Sequence, residues 1–195
     1  MNQTETILCE GESEVAYIQA LGRIMYRPDG SIKRAPFYPR LIGSGYCGVV
    51  IGAYKKARSA NRKDPIQVLV DKDVYLRNDK NSGTDYQNKS TAIPNFLFST
   101  MNFEDYLMLH CENSILDSWV TICQSKNHFS VPMHSCDYEP LFKQYFPEYE
   151  KGSLPFDLTK EVVNRMFSNL RSTPIRNEFG EYLCDLVQSE KLKFY

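Results

Sequence analysis

Short apolar runs alternate with stretches of helical periodicity along the first half of this chain. Residues 66–70 (IQVLV) are β-branched and too few for a helix, so they predict a buried strand, and residues 4–9 (TETILC) predict another. Between them, Val15, Ile18 and Leu21 recur at three-residue intervals and so mark one helix face. Because a return to a parallel strand needs a crossover, usually a helix, this alternation predicts an α/β fold with a mostly parallel sheet flanked by helices.

The remaining elements continue this alternation and then change character. Further strands are expected at 35–43, where two prolines favour an edge position, and at 91–99. Helices are expected after the GSGYCG loop and over 103–111. Beyond residue 113 the pattern is mainly helical, with periodic segments at 138–150, 157–171 and 177–188. We therefore predict an α/β catalytic core at 1–113 and a mainly helical extension at 114–195 that packs on it.

Composition limits the classes of partner. The formal net charge of -1 argues against bulk electrostatic adhesion to nucleic acid or to an anionic membrane, although it leaves room for a locally gripped nucleic-acid substrate. No apolar stretch approaches the roughly 18 to 20 residues that span a bilayer, and the amino terminus has no secretory pattern. The six cysteines form no C-x-x-C pair, which is typical of reduced, mostly buried thiols. These features predict a cytoplasmic protein without a membrane partner.

Acidic residues follow two of the predicted strands. Glu10 comes after the first strand, and Asp71 and Asp73 come after residues 66–70. The carboxyl ends of parallel strands share one edge of a sheet, so these carboxylates are expected to meet. Carboxylates in one crevice raise each other's pKa unless a cation is present, and hard oxygen ligands favour Mg²⁺ or Mn²⁺. The alternative is that they are helix caps and solvated loop residues, which are common in these positions.

Three segments in order carry a resemblance to a known family. Residues 9–21 (CEGESEVAYIQAL), 68–73 (VLVDKD) and 98–110 (FSTMNFEDYLMLH) together resemble the RloB-like family of small Toprim (topoisomerase–primase) proteins. The Toprim pattern consists of a Glu-Gly pair after the first strand and an Asp-x-Asp after a later strand. The resemblance therefore implies a Toprim-like fold for the predicted core.

The same resemblance implies roles for individual residues. It makes Glu10 a metal ligand or general base, and it makes Glu104 either a ligand or a residue that fixes its helix by hydrogen bonding. The metal ligands that it implies for Mg²⁺ or Mn²⁺ are Glu10, Glu14, Asp71, Asp73 and Glu104. The catalytic group that it implies is Glu10, Asp71, Asp73 and Lys151, with the lysine in contact with phosphate. For His110 a core or hydrogen-bonding role is expected in place of a catalytic one.

The expected function is that of a Mg²⁺- or Mn²⁺-dependent endonuclease that hydrolyses phosphodiesters of DNA or RNA. The resemblance implies antiviral defence in bacteria and an ATPase partner of the AAA or OLD-like type, and assembly into a homo-oligomer is left open. One alternative is a non-catalytic partner or sensor subunit of a defence complex. Another is a phosphatase with Asp71 as nucleophile, which would leave Glu10 without a role.

Two other groups of residues suggest weaker hypotheses. The spacing C-x4-H-x5-H-x-C of Cys123, His128, His134 and Cys136 matches no common structural zinc site. A basic cluster could contact a nucleic-acid backbone or could be a solvated helix end. Its members are Lys55, Lys56, Arg58, Arg62 and Lys63.

Overall fold

The computed structural model describes residues 4–60, 65–73, 96–99 and 101–195. The strands are β1 (Glu5–Cys9), β2 (Met25–Asp29), β3 (Ile32–Arg34), β4 (Phe37–Leu41), β5 (Ile66–Asp71), β6 (Phe96–Ser99) and β7 (Lys193–Phe194). The helices are α1 (Glu12–Ile24), α2 (Cys47–Ala60), α3 (Phe103–Met108), α4 (Asn113–Ser125), α5 (Ser135–Tyr145), α6 (Lys160–Ser172) and α7 (Glu178–Gln188). Of the predicted strand at 91–99, only the part from residue 96 lies within the described residues.

A four-stranded parallel sheet with the order β4-β1-β5-β6 forms the centre of the fold. Alternate residues of a strand point to opposite faces, and each face has its own apolar cluster. Leu8 and Val68 pack with α2 on one face, whereas Ile7, Cys9 and Leu69 pack with α1 and the later helices on the other. The prediction of an α/β fold with a parallel sheet flanked by helices is confirmed.

A second sheet was not predicted. Strands β3, β2 and β7 form a three-stranded antiparallel sheet, in which β2 pairs with the end of the chain. Its strands are short and polar, and β2 begins where α1 ends, so the sequence shows no alternation to mark them. The chain reverses between β2 and β3 at Gly30, which has a φ of 60°.

The region after residue 113 is mainly helical, as predicted. Thr159 caps α6 by accepting a hydrogen bond from the N–H of Val162 at 3.3 Å, and Asn177 caps α7 by accepting one from Gly180 at 2.7 Å. The four helices contribute to the same apolar cluster as α1. The boundary between 1–113 and 114–195 stays a prediction. All six cysteines are free and four are buried. Among the described residues, no helix is long and apolar enough to cross a bilayer.

A buried carboxylate fixes the amino-terminal end of β1. Glu5 is 2% exposed, and its Oε2 accepts hydrogen bonds from Arg27, at 2.6 Å, and from the hydroxyl of Tyr182. Its Oε1 accepts from the side-chain amide of Gln67 at 2.8 Å. These donors belong to β2, α7 and β5, so one side chain joins both sheets and the last helix.

We predict that Glu5→Ala lowers the free energy of unfolding by about 3–5 kcal/mol, because it leaves the buried Arg27 guanidinium without its partner. Urea denaturation of the purified protein measures this change. Asp29→Ala is the matched control, since Asp29 pairs with the half-exposed Arg34 at 2.8 Å, and such pairs contribute about 0–1 kcal/mol. Equal losses in the two variants would contradict the assigned role of Glu5.

Candidate functional site

The carboxyl ends of β1 and β5 bring two predicted site residues together. Glu10 follows the last residue of β1, and Asp71 is the last residue of β5, the strand hydrogen-bonded to β1. The backbone N–H of Asp71 donates a hydrogen bond to Oε2 of Glu10 at 3.1 Å. The parallel pairing of these strands therefore places residues 61 positions apart in direct contact.

A cavity of about 370 Å³ lies in front of these strand ends. Its walls include Glu10, Glu14, Asp71, Glu104 and Lys151. Asp73 is not part of these walls; it is 6% exposed, and its N–H donates to the carbonyl of Met101 at 3.1 Å. Five of the six charged residues predicted for the site thus line one cavity, and the sixth, Asp73, is near enough for its charge to act on Asp71.

The acidic groups of the cavity perturb one another. Burial raises the pKa of Asp71 well above its ordinary value, and the charges of Glu10, Glu14, Asp73 and Glu104 raise it further. Burial, together with the charges of Glu10 and Glu104, raises the pKa of Glu14 to about 8. The pKa of Glu104 is also raised by burial, although the charge of Lys151 opposes the shift. Near neutral pH the cavity therefore holds protons that a bound cation would displace.

The donor set fits a hard divalent cation in its chemistry, since every acidic ligand candidate offers carboxylate oxygen. The groups are nevertheless spread around the cavity. Among the described residues, the one set of three ligand groups whose atoms all lie within 4.8 Å of one another is elsewhere. Mg²⁺ commonly keeps several waters and takes one or two carboxylates directly. Glu10 and Asp71, which are in contact, are the best-placed direct ligands, and the other acids would act through water.

The loop before α2 encloses Glu10. The N–H groups of Ile42 and Gly43 donate to the carbonyls of Cys9 and Glu10 at 2.8 and 3.0 Å. A Cβ at Gly45 would lie less than 3.0 Å from all three heavy atoms of the Glu10 carboxyl group. In the sequence, GSGYCG was interpreted only as the loop that leads into a helix. The contact of Gly45 with Glu10 was not predicted, because the spacing of the glycines does not indicate which side chain they contact.

A hydrogen-bonded chain holds Glu104 and the segment that carries Lys151. The hydroxyl of Tyr149 donates to Oε1 of Glu104 at 3.3 Å, so Ser13, 3.0 Å away, donates to Tyr149. Ser13 in turn accepts a hydrogen bond from the N–H of Gly152 at 3.1 Å. Lys151 extends from this turn, 59% exposed, with its Nζ 3.7 Å from Oε2 of Glu139. Glu104 thus both lines the cavity and accepts a hydrogen bond from a loop residue, as its two expected roles require.

His110 lies in the core, away from the acidic cavity wall. Its Nδ1 donates to the carbonyl of Tyr106 at 3.1 Å, so its Nε2 accepts from the hydroxyl of Tyr17 at 2.8 Å. Burial lowers its pKa to about 3. The residue is a neutral member of a hydrogen-bonded network, which agrees with the expected role.

The four residues of the zinc hypothesis do not form one metal site. His134 and Cys136 are exposed, whereas Cys123 and His128 are buried and adjoin Asp105. Nδ1 of His128 accepts from the N–H of Met133 at 3.0 Å, so Nε2 carries the proton and donates to Asp105 at 2.9 Å. With both ring nitrogens in use, His128 has no lone pair for a metal. We interpret the group as a structural hydrogen-bonded network, whose Asp105 the sequence did not reveal.

The basic cluster is only partly described. Lys55 and Lys56 are exposed on α2, and the guanidinium of Arg58 lies 5.6 Å from the centre of the Tyr54 ring. Arg62 and Lys63 lie outside the described residues. The exposure of Lys55 and Lys56 near the end of α2 agrees with the interpretation of these lysines as part of a solvated helix end.

Comparison with known proteins gives no assignment. No family model, no curated protein and no solved structure matches this chain.

The pKa of Glu14 predicts how stability depends on pH without metal. The folded-state pKa of about 8 lies above the ordinary 4.5, so the stabilising contribution of this proton is complete below pH 4.5 and is lost as the pH rises through 8. Glu14→Gln removes the ionisation, and we expect it to raise the melting temperature of the metal-free protein at about pH 8.5 by at least about 3 °C. The gain should vanish at about pH 5. Glu12→Gln, a change of an exposed acid in the same helical turn, should show no such difference.

Gly45→Ala should weaken metal binding, because the added methyl group displaces the Glu10 carboxyl group. We expect the dissociation constant for Mn²⁺, measured by calorimetry, to rise at least about tenfold. Gly48→Ala is the control, since a Cβ there meets nothing within 4 Å and lies in the first turn of α2. Equal Mn²⁺ affinity in both variants would show that Glu10 does not hold the ion.

Proposed function

We propose that this chain is a Mg²⁺- or Mn²⁺-dependent nuclease that hydrolyses phosphodiesters of nucleic acid on a Toprim-like core. The observation that carries the proposal is the contact between Glu10 and Asp71 at the ends of adjacent parallel strands. Glu14 and Glu104 line the same cavity as this pair, the charge of Asp73 acts on Asp71, and Lys151 supplies a cation at the rim. The sequence resemblance points to the same residues.

Each residue has a role in this proposal. Asp71 and Glu10 would hold the ion, and the carboxyl groups of Asp73, Glu14 and Glu104 would add negative charge around it. A bound Mg²⁺ or Mn²⁺ would neutralise phosphate charge and lower the pKa of the attacking water. Any Glu10 oxygen not bound to the ion can accept the proton of that water as a general base. Lys151 is mostly exposed and flexible, so it can reach a phosphate oxygen at the cavity mouth.

The surroundings of Asp71 favour this reaction over an aspartyl-phosphatase reaction. Oδ1 of Asp71 accepts a hydrogen bond from the hydroxyl of Ser99, and the backbone N–H of Asp71 is bound to Glu10. Burial and the neighbouring acids raise the pKa of Asp71, so its charged form is disfavoured unless a cation balances these charges. A phosphatase would also leave Glu10 without a chemical role, whereas a metal-dependent nuclease uses both residues.

The wider setting is proposed on the resemblance of the sequence segments alone. It comprises antiviral defence and an ATPase partner of the AAA or OLD-like type. Co-purification with such an ATPase, retained in a Glu10→Gln variant, would support this setting independently of cleavage.

The decisive assay offers labelled DNA, tRNA and a phosphomonoester to the purified protein with and without Mn²⁺. We expect metal-dependent cleavage of a nucleic acid, which falls at least about 100-fold in Glu10→Gln and in Asp71→Asn because each loses a metal ligand. Asp117→Asn, at an exposed position of α4, is the control and should keep the wild-type rate. Turnover of the phosphomonoester alone would indicate a phosphatase. Binding without cleavage, unchanged in both variants, would indicate the non-catalytic subunit.

A further inference from the structure

A tyrosine of the carboxyl-terminal region forms part of the wall of the acidic cavity. Tyr138 lies in the first turn of α5, is 7% exposed and lines the same cavity as Glu10 and Asp71. Its ring lies 6.5 Å from that of His128, centre to centre, which anchors it on the structural network below. The sequence offered no signal for this residue, because it is one of 13 tyrosines and lies far from the acidic segments.

The hydroxyl of Tyr138 makes no hydrogen bond to another described residue and is not sealed from solvent, because Nδ2 of Asn177 is the one fully buried side-chain polar atom without a partner among the described residues. The other buried tyrosines there differ from it in this respect. Tyr17 and Tyr106 bond to each other, Tyr149 bonds to Ser13 and Glu104, and Tyr54 accepts from Arg58. A hydroxyl that is open to the cavity and unpaired within the described residues is available to a ligand that enters the cavity.

The charges around Tyr138 define what that ligand must offer. Burial raises the pKa of Tyr138, and the carboxyls of Glu104, Asp71, Asp73 and Asp105 raise it further. The hydroxyl therefore keeps its proton at neutral pH and acts as a hydrogen-bond donor. Lys151, on the same cavity, is also a donor. A ligand between these donors and the carboxylate wall must present acceptor oxygens and carry negative charge that a cation on the carboxylates can balance.

On these grounds we propose that the hydroxyl of Tyr138 donates a hydrogen bond to a non-bridging oxygen of the scissile phosphate, which makes it a catalytic residue supplied by the region after residue 113. This inference rests on the proposed nuclease function and adds a substrate contact to it. The phosphate lies between two surfaces. Glu10 and Asp71 with their ion face it from the sheet, and Tyr138 and Lys151 face it from the carboxyl-terminal region. The bond strengthens as charge builds on the phosphate oxygens during attack.

The test compares Tyr138→Phe with Tyr145→Phe, a change of the same type two turns along the same helix, at a residue that packs on Trp119. In Tyr138→Phe we expect kcat and kcat/KM for cleavage of an oligonucleotide with Mn²⁺ to fall together, at least about tenfold. The melting temperature should stay equal, because the variant removes a hydroxyl that is bonded to no other described residue. The Mn²⁺ affinity should stay at the wild-type value, as should every parameter of Tyr145→Phe.

Sulfur substitution on the substrate gives a readout that a structural role would not change. Sulfur is a weaker hydrogen-bond acceptor than oxygen, so one of the two phosphorothioate diastereomers should slow the wild-type protein more than it slows Tyr138→Phe. Equal effects of both diastereomers in the two proteins would overturn the inference, and so would wild-type cleavage by Tyr138→Phe. A fall in melting temperature or in Mn²⁺ affinity that accounts for the lost rate would overturn it as well. If the wild-type protein neither cleaves nor binds nucleic acid, the proposed function itself fails, and this inference fails with it.

Discussion

The parallel pairing of β1 with β5 is the constraint on which the site depends. It fixes Glu10 and Asp71 at the same edge of the sheet and in contact, although 61 positions separate them. A slip of the register by one residue would turn the side chains of either strand to the opposite face. That slip is prevented by the two apolar clusters, which require alternate residues of both strands to point to opposite sides of the sheet.

Two glutamates at opposite ends of β1, Glu5 and Glu10, have contrasting electrostatic surroundings. Glu5 receives three donors from three different elements, so its charge is fully compensated within the protein. Glu10, five residues later, has carboxyl groups as neighbours, and these groups raise the pKa of Asp71 and of Glu14. Donors from three elements thus meet the carboxylate at the amino-terminal end of β1, whereas carboxyl groups gather at its carboxyl-terminal end. The protein therefore bears an electrostatic cost at the cavity that a bound cation would remove.

The parts of the structure that the sequence predicted are those set by local pattern. The composition of residues 66–70 (IQVLV) and 4–9 (TETILC) predicts buried strands. Because parallel strands end at the same side of a sheet, Glu10 and Asp71 are then expected to lie close together. The polar strands β2 and β3 and the two-residue β7 carry no such pattern, since their pairing depends on contacts between distant segments. Gly45 and Asp105 were missed for a similar reason. What distinguishes them is the side chain they face, Glu10 in one case and His128 in the other, and that neighbour is fixed by tertiary packing.

Tyr138 illustrates this limit most clearly and also changes the interpretation of the chain's second half. As a helical extension, residues 114–195 would need only to cover apolar surface, and a buried tyrosine there would find a partner within the protein, as Tyr149 does. Instead Tyr138 lines the acidic cavity, and its hydroxyl is bonded to no other described residue. The ends of β1 and β5 supply Glu10 and Asp71 to this cavity, whereas Tyr138 and Lys151 supply donors from α5 and the segment after it. A phosphate needs both, because it must be neutralised by a cation on one side and hydrogen-bonded on the other. The second half of the chain therefore completes the proposed active site.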